Sequence, residues 1–87
     1  MFYVHVLRSE SHTGFYIGFS TNLRVRLTRH QAGESFATSH RVPWKLIYYE
    51  AYREREDAEG REKFPKSRAG RRFLRAQLCH YFHRFPT

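Results

Sequence analysis

Residues 15–33 read Phe15-Tyr16-Ile17-Gly18-Phe19, then Ser20-Thr21-Asn22, then Leu23-Arg24-Val25-Arg26-Leu27-Thr28-Arg29-His30-Gln31-Ala32-Gly33. The first five predict a short strand, aromatic and β-branched apart from the glycine. Ser20, Thr21 or Asn22 can each cap a following helix by accepting a hydrogen bond from one of its unpaired amides. Leu23 and Leu27 fall at i and i+4 on one buried face, and Gly33 stands where helices usually end. This strand, turn and helix carry a phenol (Tyr16), a guanidinium (Arg26) and an imidazole (His30). Arg26 and His30 are one turn apart on the same helix face. Side chains of these types can grip a phosphodiester and manage a proton beside it.

Upstream, Phe2 to Arg8 reads as a strand with Tyr3, His5 and Leu7 on one face and Phe2, Val4 and Val6 on the other. Both faces are largely apolar, which predicts a central strand. Ser9 to Gly14 is a polar hairpin connection. Downstream, Glu34 to Arg41 reads as a loop, and Trp44 to Tyr52, after Pro43, reads as a third strand. Glu54 to about Phe64 is a second helix, acidic at its start and basic towards its end, as the helix dipole favours. Pro65 ends or kinks it. Ser67 to Gly70 reads as a turn, and Arg71 to about His83 as a third helix with apolar residues at helical spacing. The result is an α+β domain, a small three-stranded antiparallel sheet flanked by three helices in the order β-β-α-β-α-α.

Eighty-seven residues suffice for one domain, taken here as 1–87. Such a domain buries only roughly 60% of the surface its unfolded chain exposes, so the core is thin and leans on its aromatic residues. No apolar run approaches the roughly 20 residues of a membrane span, and no secretory signal is evident. Cys79 stands alone, which excludes an internal disulfide framework and suits a cytoplasmic location. It reads as a small, half-buried helix residue. A net charge of +8 favours a polyanionic partner, nucleic acid before an anionic membrane surface. Arg24, Arg29, Lys45, Lys63, Lys66, Arg71 and Arg72 are candidates to follow a phosphate backbone. Contacts of that kind set affinity and salt dependence but carry no sequence information.

The ordered set of motifs resembles the GIY-YIG nuclease superfamily, in particular its small stand-alone bacterial members, which are like the N-terminal domain of an excision-repair nuclease. Tyr16-Ile17-Gly18 matches the second signature motif. Tyr3-Val4-His5 matches the first, with ten residues between His5 and Tyr16. Asn22-Leu23, Arg26-Leu27 and His30 match the helix motif. Pro43-Trp44-Lys45-Leu46, Tyr48-Tyr49-Glu50, Ala58, Arg61-Glu62-Lys63 and Gly70-Arg71-Arg72-Phe73-Leu74 match later segments. The resemblance implies an endonuclease that hydrolyses phosphodiester bonds in DNA, or RNA, with one Mg²⁺ or Mn²⁺ ion. It implies that Arg26 binds the scissile phosphate, that Glu62 binds the metal, that the motif tyrosines orient or deprotonate the attacking water, and that His30 assists. With no fused targeting domain, weak sequence specificity or recognition of DNA structure is expected. Repair, defence against foreign DNA and mobile-element maintenance all fit, and the oligomeric state is left open.

Without the resemblance each of these residues has an ordinary reading. Arg26 is then a solvated helix arginine, and Glu62 a surface carboxylate paired with Arg61 or Lys66. Tyr16 is a core tyrosine, and His30 a histidine settled at a helix C-terminus. His5 is the main departure, because the pattern has tyrosine there. His5 serves as the base itself, or Tyr16 handles the proton alone, or the domain is catalytically impaired and only binds nucleic acid. Pro65 is the second departure, since a kink there would reorient Glu62.

Overall fold

The computed structural model describes residues 1–12, 14–33 and 39–86. Three strands form one antiparallel sheet: β1 (Phe2–Ser9), β2 (Phe15–Ser20) and β3 (Trp44–Tyr52), in the order β2-β1-β3. The two apolar faces of β1 place it at the centre, as expected, with Val4 and Val6 almost wholly buried. Register pairs His5 with Gly18 on β2 and with Tyr49 on β3, and a bulge interrupts β1–β3 between Val6 and Leu7. Alternation therefore puts Tyr3, His5, Leu7, Tyr16 and Gly18 on one face, and Val4, Val6, Phe15, Ile17 and Phe19 on the other.

Helix α1 (Leu23–Gln31) covers the first face. Among the three candidate caps, Asn22 is the one used: its Oδ1 accepts from the Val25 amide at 3.1 Å. Gly33 terminates the helix with φ 72°, a left-handed conformation that glycine adopts without a Cβ clash. The Gln31 side-chain amide then ties the end of α1 to the start of β3. Its Oε1 accepts from the Trp44 amide at 2.6 Å, and its Nε2 donates to the Trp44 carbonyl.

The second face carries α2 (Arg55–Lys66), α3 (Arg68–Gln77) and α4 (Cys79–Arg84). Ala58 on α2 is fully buried where a larger side chain would hold the helix off the sheet. Aromatic pairs complete this layer, Phe64 with Phe73 (5.6 Å between ring centroids), Tyr48 with Phe73 (6.4 Å) and Phe15 with Phe82 (5.9 Å). Glu50 on β3 accepts from two of the three Arg61 guanidinium nitrogens, Nε at 2.9 Å and Nη2 at 3.1 Å, and from the Tyr48 and Tyr52 hydroxyls, each at 2.7 Å. Burial pushes the Glu50 carboxyl upward in pKa, but the hydrogen bonds from Arg61, Tyr52 and Tyr48 outweigh it and hold the group below its usual value.

Four local readings change. The second helix runs past Phe64: Pro65 lies buried in its last turn, the helix ends one residue later, and Glu62 stands within the continuous helix. Ser67 to Gly70 is not a separate turn. Ser67 Oγ accepts from the Gly70 amide at 3.0 Å, so these residues cap and open α3. Gly70 is required there, because a Cβ would collide with the Phe64 carbonyl. The final helix begins at Arg68 and breaks at Leu78 (φ −108°, ψ 34°), giving two short helices. Cys79 is exposed rather than half-buried, since the break turns it outward at the start of α4. Of the expected loop from Glu34 to Arg41, residues 34–38 lie outside the described residues, and Ser39–Arg41 form a 3₁₀ turn. Among the described residues no helix is long and apolar enough to cross a membrane.

Candidate active site

The edge strand β2 forms the floor of an open cleft of about 480 Å³, walled by α1 on one side and by α2 and α3 on the other. Tyr16, Gly18, Arg26, Glu62, Lys66 and Arg71 line it. Residues 46 positions apart in sequence (Tyr16 and Glu62) thus meet because the helices of both faces reach the same sheet edge.

Arg26 Nη2 donates to the Tyr16 hydroxyl at 3.3 Å. The Arg26 Nε is buried and has no hydrogen-bond partner among the described residues. A buried N–H without an acceptor is costly, so this guanidinium is set up to gain from an incoming anion. His30 packs against Tyr16 with ring centroids 4.6 Å apart, and against Trp44 at 6.4 Å. Trp44 is held in turn by the Arg41 guanidinium, 4.8 Å above its ring.

His5 lies behind this group, 1% exposed, with ring centroids 6.4 Å from both Tyr16 and His30. Neither of its ring nitrogens has a hydrogen-bond partner among the described residues. Burial first, then the nearby His30 and Arg26, lower its pKa from 6.5 to about 4; Glu62 opposes them. Burial, then Arg26, lowers His30 as well. Both imidazoles are therefore neutral at neutral pH. Gly18 makes room for His5: a Cβ at Gly18 would sit 2.8 Å from His5 Nε2 and 3.0 Å from Tyr16 Cε1.

Glu62 is the one carboxylate lining the cleft among the described residues. Its Oε1 accepts from Lys66 Nζ at 2.6 Å, one turn away on α2. The pairing named by the ordinary reading of Glu62 is thus real, yet the carboxylate still faces the cleft and is 26% exposed. No cluster of three or more His, Cys, Asp or Glu able to cage a metal occurs among the described residues. One hard oxygen donor beside a cationic wall still fits Mg²⁺, which keeps several waters and takes further ligands from substrate phosphate.

The model of the GIY-YIG catalytic domain family matches residues 1–73. The chain belongs to this family. The match spans β1, β2, α1, β3 and α2 and ends inside α3, so it contains every residue of the cleft. The chain is 37% identical over 70 residues to UPF0213 proteins of Streptococcus pyogenes serotype M5 (strain Manfredo) and serotype M2, covering 79% of this chain and 75% of theirs. A UPF0213 protein of serotype M1 aligns to the same extent. No solved structure matches the chain. GIY-YIG nucleases generally use divalent metal ions.

Of the sequence candidates, Tyr16, Arg26, Glu62, Lys66 and Arg71 come together in the cleft, and His5 and His30 stand directly behind it. Arg29 lines an adjoining groove. Arg24 lies on the other side of α1, beside Tyr3 and Tyr49. Lys45 sits 5.4 Å from the Phe85 ring, in a separate hollow by the C-terminal helix. Lys63 and Arg72 are exposed on α2 and α3 without lining the cleft. Sequence reading missed that Gln31 and Arg41 brace the His30–Trp44 pair. Their contacts are non-local, and a glutamine or arginine in a polar stretch carries no signal of them.

Proposed function

We propose that this GIY-YIG chain is a divalent-metal-dependent endonuclease acting on DNA, with weak sequence specificity or a preference for DNA structure. The observation that carries the reading is Arg26 bonded to Tyr16 in a cleft whose opposite wall presents Glu62. In hydrolysis a water oxygen joins phosphorus, a bridging P–O bond breaks, the water gives up a proton and the leaving oxygen gains one. Negative charge builds on the phosphate oxygens. Arg26 meets that charge with a planar fork of donors, and Lys66 and Arg71 stand beside it. Tyr16 orients the attacking water, and His30, packed on Tyr16, relays its proton. His5 acts as a positioning residue: its buried neutral ring fills the space between Tyr16, His30 and Gly18.

Glu62 is the residue that would hold the metal ion. Such an ion lowers the pKa of bound water and stabilises the leaving oxygen. A second reading, a domain that binds nucleic acid without cutting it, is favoured by one observation: Lys66 sits on Glu62 at 2.6 Å. Nicking of supercoiled plasmid and cutting of branched DNA with Mg²⁺ or Mn²⁺ separate the two. Activity lost in both Glu62→Gln and Arg26→Ala supports the nuclease. Binding that survives both substitutions, with no cutting by the wild type, supports the second reading.

A further inference from the structure

The cleft does not end at Arg26. A second groove of about 370 Å³ continues past it and shares Phe19 and Arg26 with the first. Arg29 from α1 and Arg55 from the start of α2 line this extension. The first groove follows β2 from Phe15 to Phe19, and the second takes over at Phe19 and Ser20 and continues over Thr21 and Asn22; β2 itself, an edge strand of six residues, is about 17 Å long at roughly 3.4 Å per residue. Among the described residues that line them, Glu62 is the one acid, against Arg26, Arg29, Arg55, Lys66 and Arg71. A single phosphate would need only one end of such a channel. A duplex strand carries one phosphate per roughly 3.4 Å of axis, so several phosphates fit along this length.

Arg55 is suited to the far end. Its guanidinium lies 5.1 Å from the Phe19 ring and 5.5 Å from the Phe2 ring, and those rings stack at 6.2 Å. Stacking on aromatic rings fixes the plane of a guanidinium while leaving its edge donors available. Its contact with Glu59 is 4.0 Å long between half-exposed side chains, too weak to occupy it.

We propose that a nucleic-acid strand runs along β2 through both grooves, and that Arg55 binds its phosphates on the opposite side of Arg26 from Arg71. The proposal rests on the nucleic-acid reading above and adds the path. It explains how an internal bond is presented, since the channel continues on both sides of Arg26.

The test is fluorescence anisotropy of a labelled oligonucleotide, duplex and single-stranded, with the full chain in EDTA across a series of KCl concentrations. Each lost phosphate contact lowers the slope of log K against log salt by about 0.9 on duplex or about 0.7 on a single strand. Arg55→Gln and Arg71→Gln should each lower the slope by that amount, and Arg55→Lys should retain it. Arg84→Gln, in the separate C-terminal hollow, should leave the slope unchanged. An Arg55→Gln slope equal to wild type, or a fall equal to that of Arg84→Gln, overturns the path. Cleavage is scored separately with Mg²⁺. A chain that shows this slope pattern and never cuts keeps the path and loses the nuclease. A chain that cuts while Arg55→Gln leaves the slope intact keeps the nuclease and loses the path. Absence of binding at low salt removes both.

Discussion

Replacing His5 should change how the fold responds to acid. In the folded chain its pKa is about 4, whereas an unfolded histidine titrates near 6.5. The unfolded chain therefore takes up the proton first, and stability falls as pH drops below 6.5. Above 6.5 the full stability is present. With these two values the loss relative to neutral pH is about 2 kcal/mol at pH 5, rising towards about 3.4 kcal/mol below pH 4. A domain of this kind is stable by only about 5–15 kcal/mol, so the effect is large. Urea unfolding followed by circular dichroism at pH 7.5, 6 and 5 reads it directly. His5→Phe, which keeps the ring and removes the titration, should lose about 2 kcal/mol less than wild type between pH 7.5 and pH 5. His5→Tyr, the residue type of the family motif, serves as a second variant. His30, also lowered, remains in all three proteins and cancels. Equal acid losses in wild type and both variants would refute the reasoning, as would an His5 ring proton in NMR titrating near 6.5.

Gly18→Ala should cost about 1–3 kcal/mol, because the new Cβ would press on His5 Nε2 and Tyr16 Cε1. Thermal unfolding measures the cost, and adding His5→Ala should recover much of it; a cost unchanged in the double variant would contradict the contact. Arg26→Lys keeps the charge but loses the fork and the Tyr16 bond, so kcat for nicking supercoiled plasmid should fall by about 10²–10³. Glu62→Gln should abolish cutting yet leave stability within about 1 kcal/mol, since its pair with Lys66 is open to solvent on the half-exposed Lys66 side. Mn²⁺ binding followed by EPR should weaken in that variant, and undiminished binding would move the metal elsewhere. Glu50→Ala should be costly, by about 2–4 kcal/mol in urea unfolding, because it leaves Arg61 and two tyrosine hydroxyls without their acceptor. It should leave nucleic-acid affinity near wild type, as Glu50 lies away from the cleft.

The strands and first two helices were legible because their signals are local. The apolar run of Phe2–Leu7, Asn22 before Leu23, and the Leu23–Leu27 spacing each require only near neighbours. The C-terminal region was less legible for a physical reason. Ser67 serves both as the end of α2 and as the cap of α3, and whether it marks a turn or a helix start depends on how closely Phe64 and Gly70 approach. The break at Leu78 has neither proline nor glycine to announce it.

The sequence by itself determined the family, the sheet order implied by an apolar central strand, and the residue types Tyr16, Arg26, His30 and Glu62. These follow from motif spacing and from the two apolar faces of Phe2–Arg8. Only the tertiary structure decided that α1 and α2 bring Arg26 and Glu62 to one edge of the sheet from opposite faces. It also decided that Lys45 and Arg24 lie away from that edge, and that Arg55 lies on it. The same packing gave His5 its character: an imidazole on a strand is an ordinary histidine until His30, Arg26 and burial act on it together. Charge and shape at a site depend on distances across the fold, and no local sequence pattern encodes them.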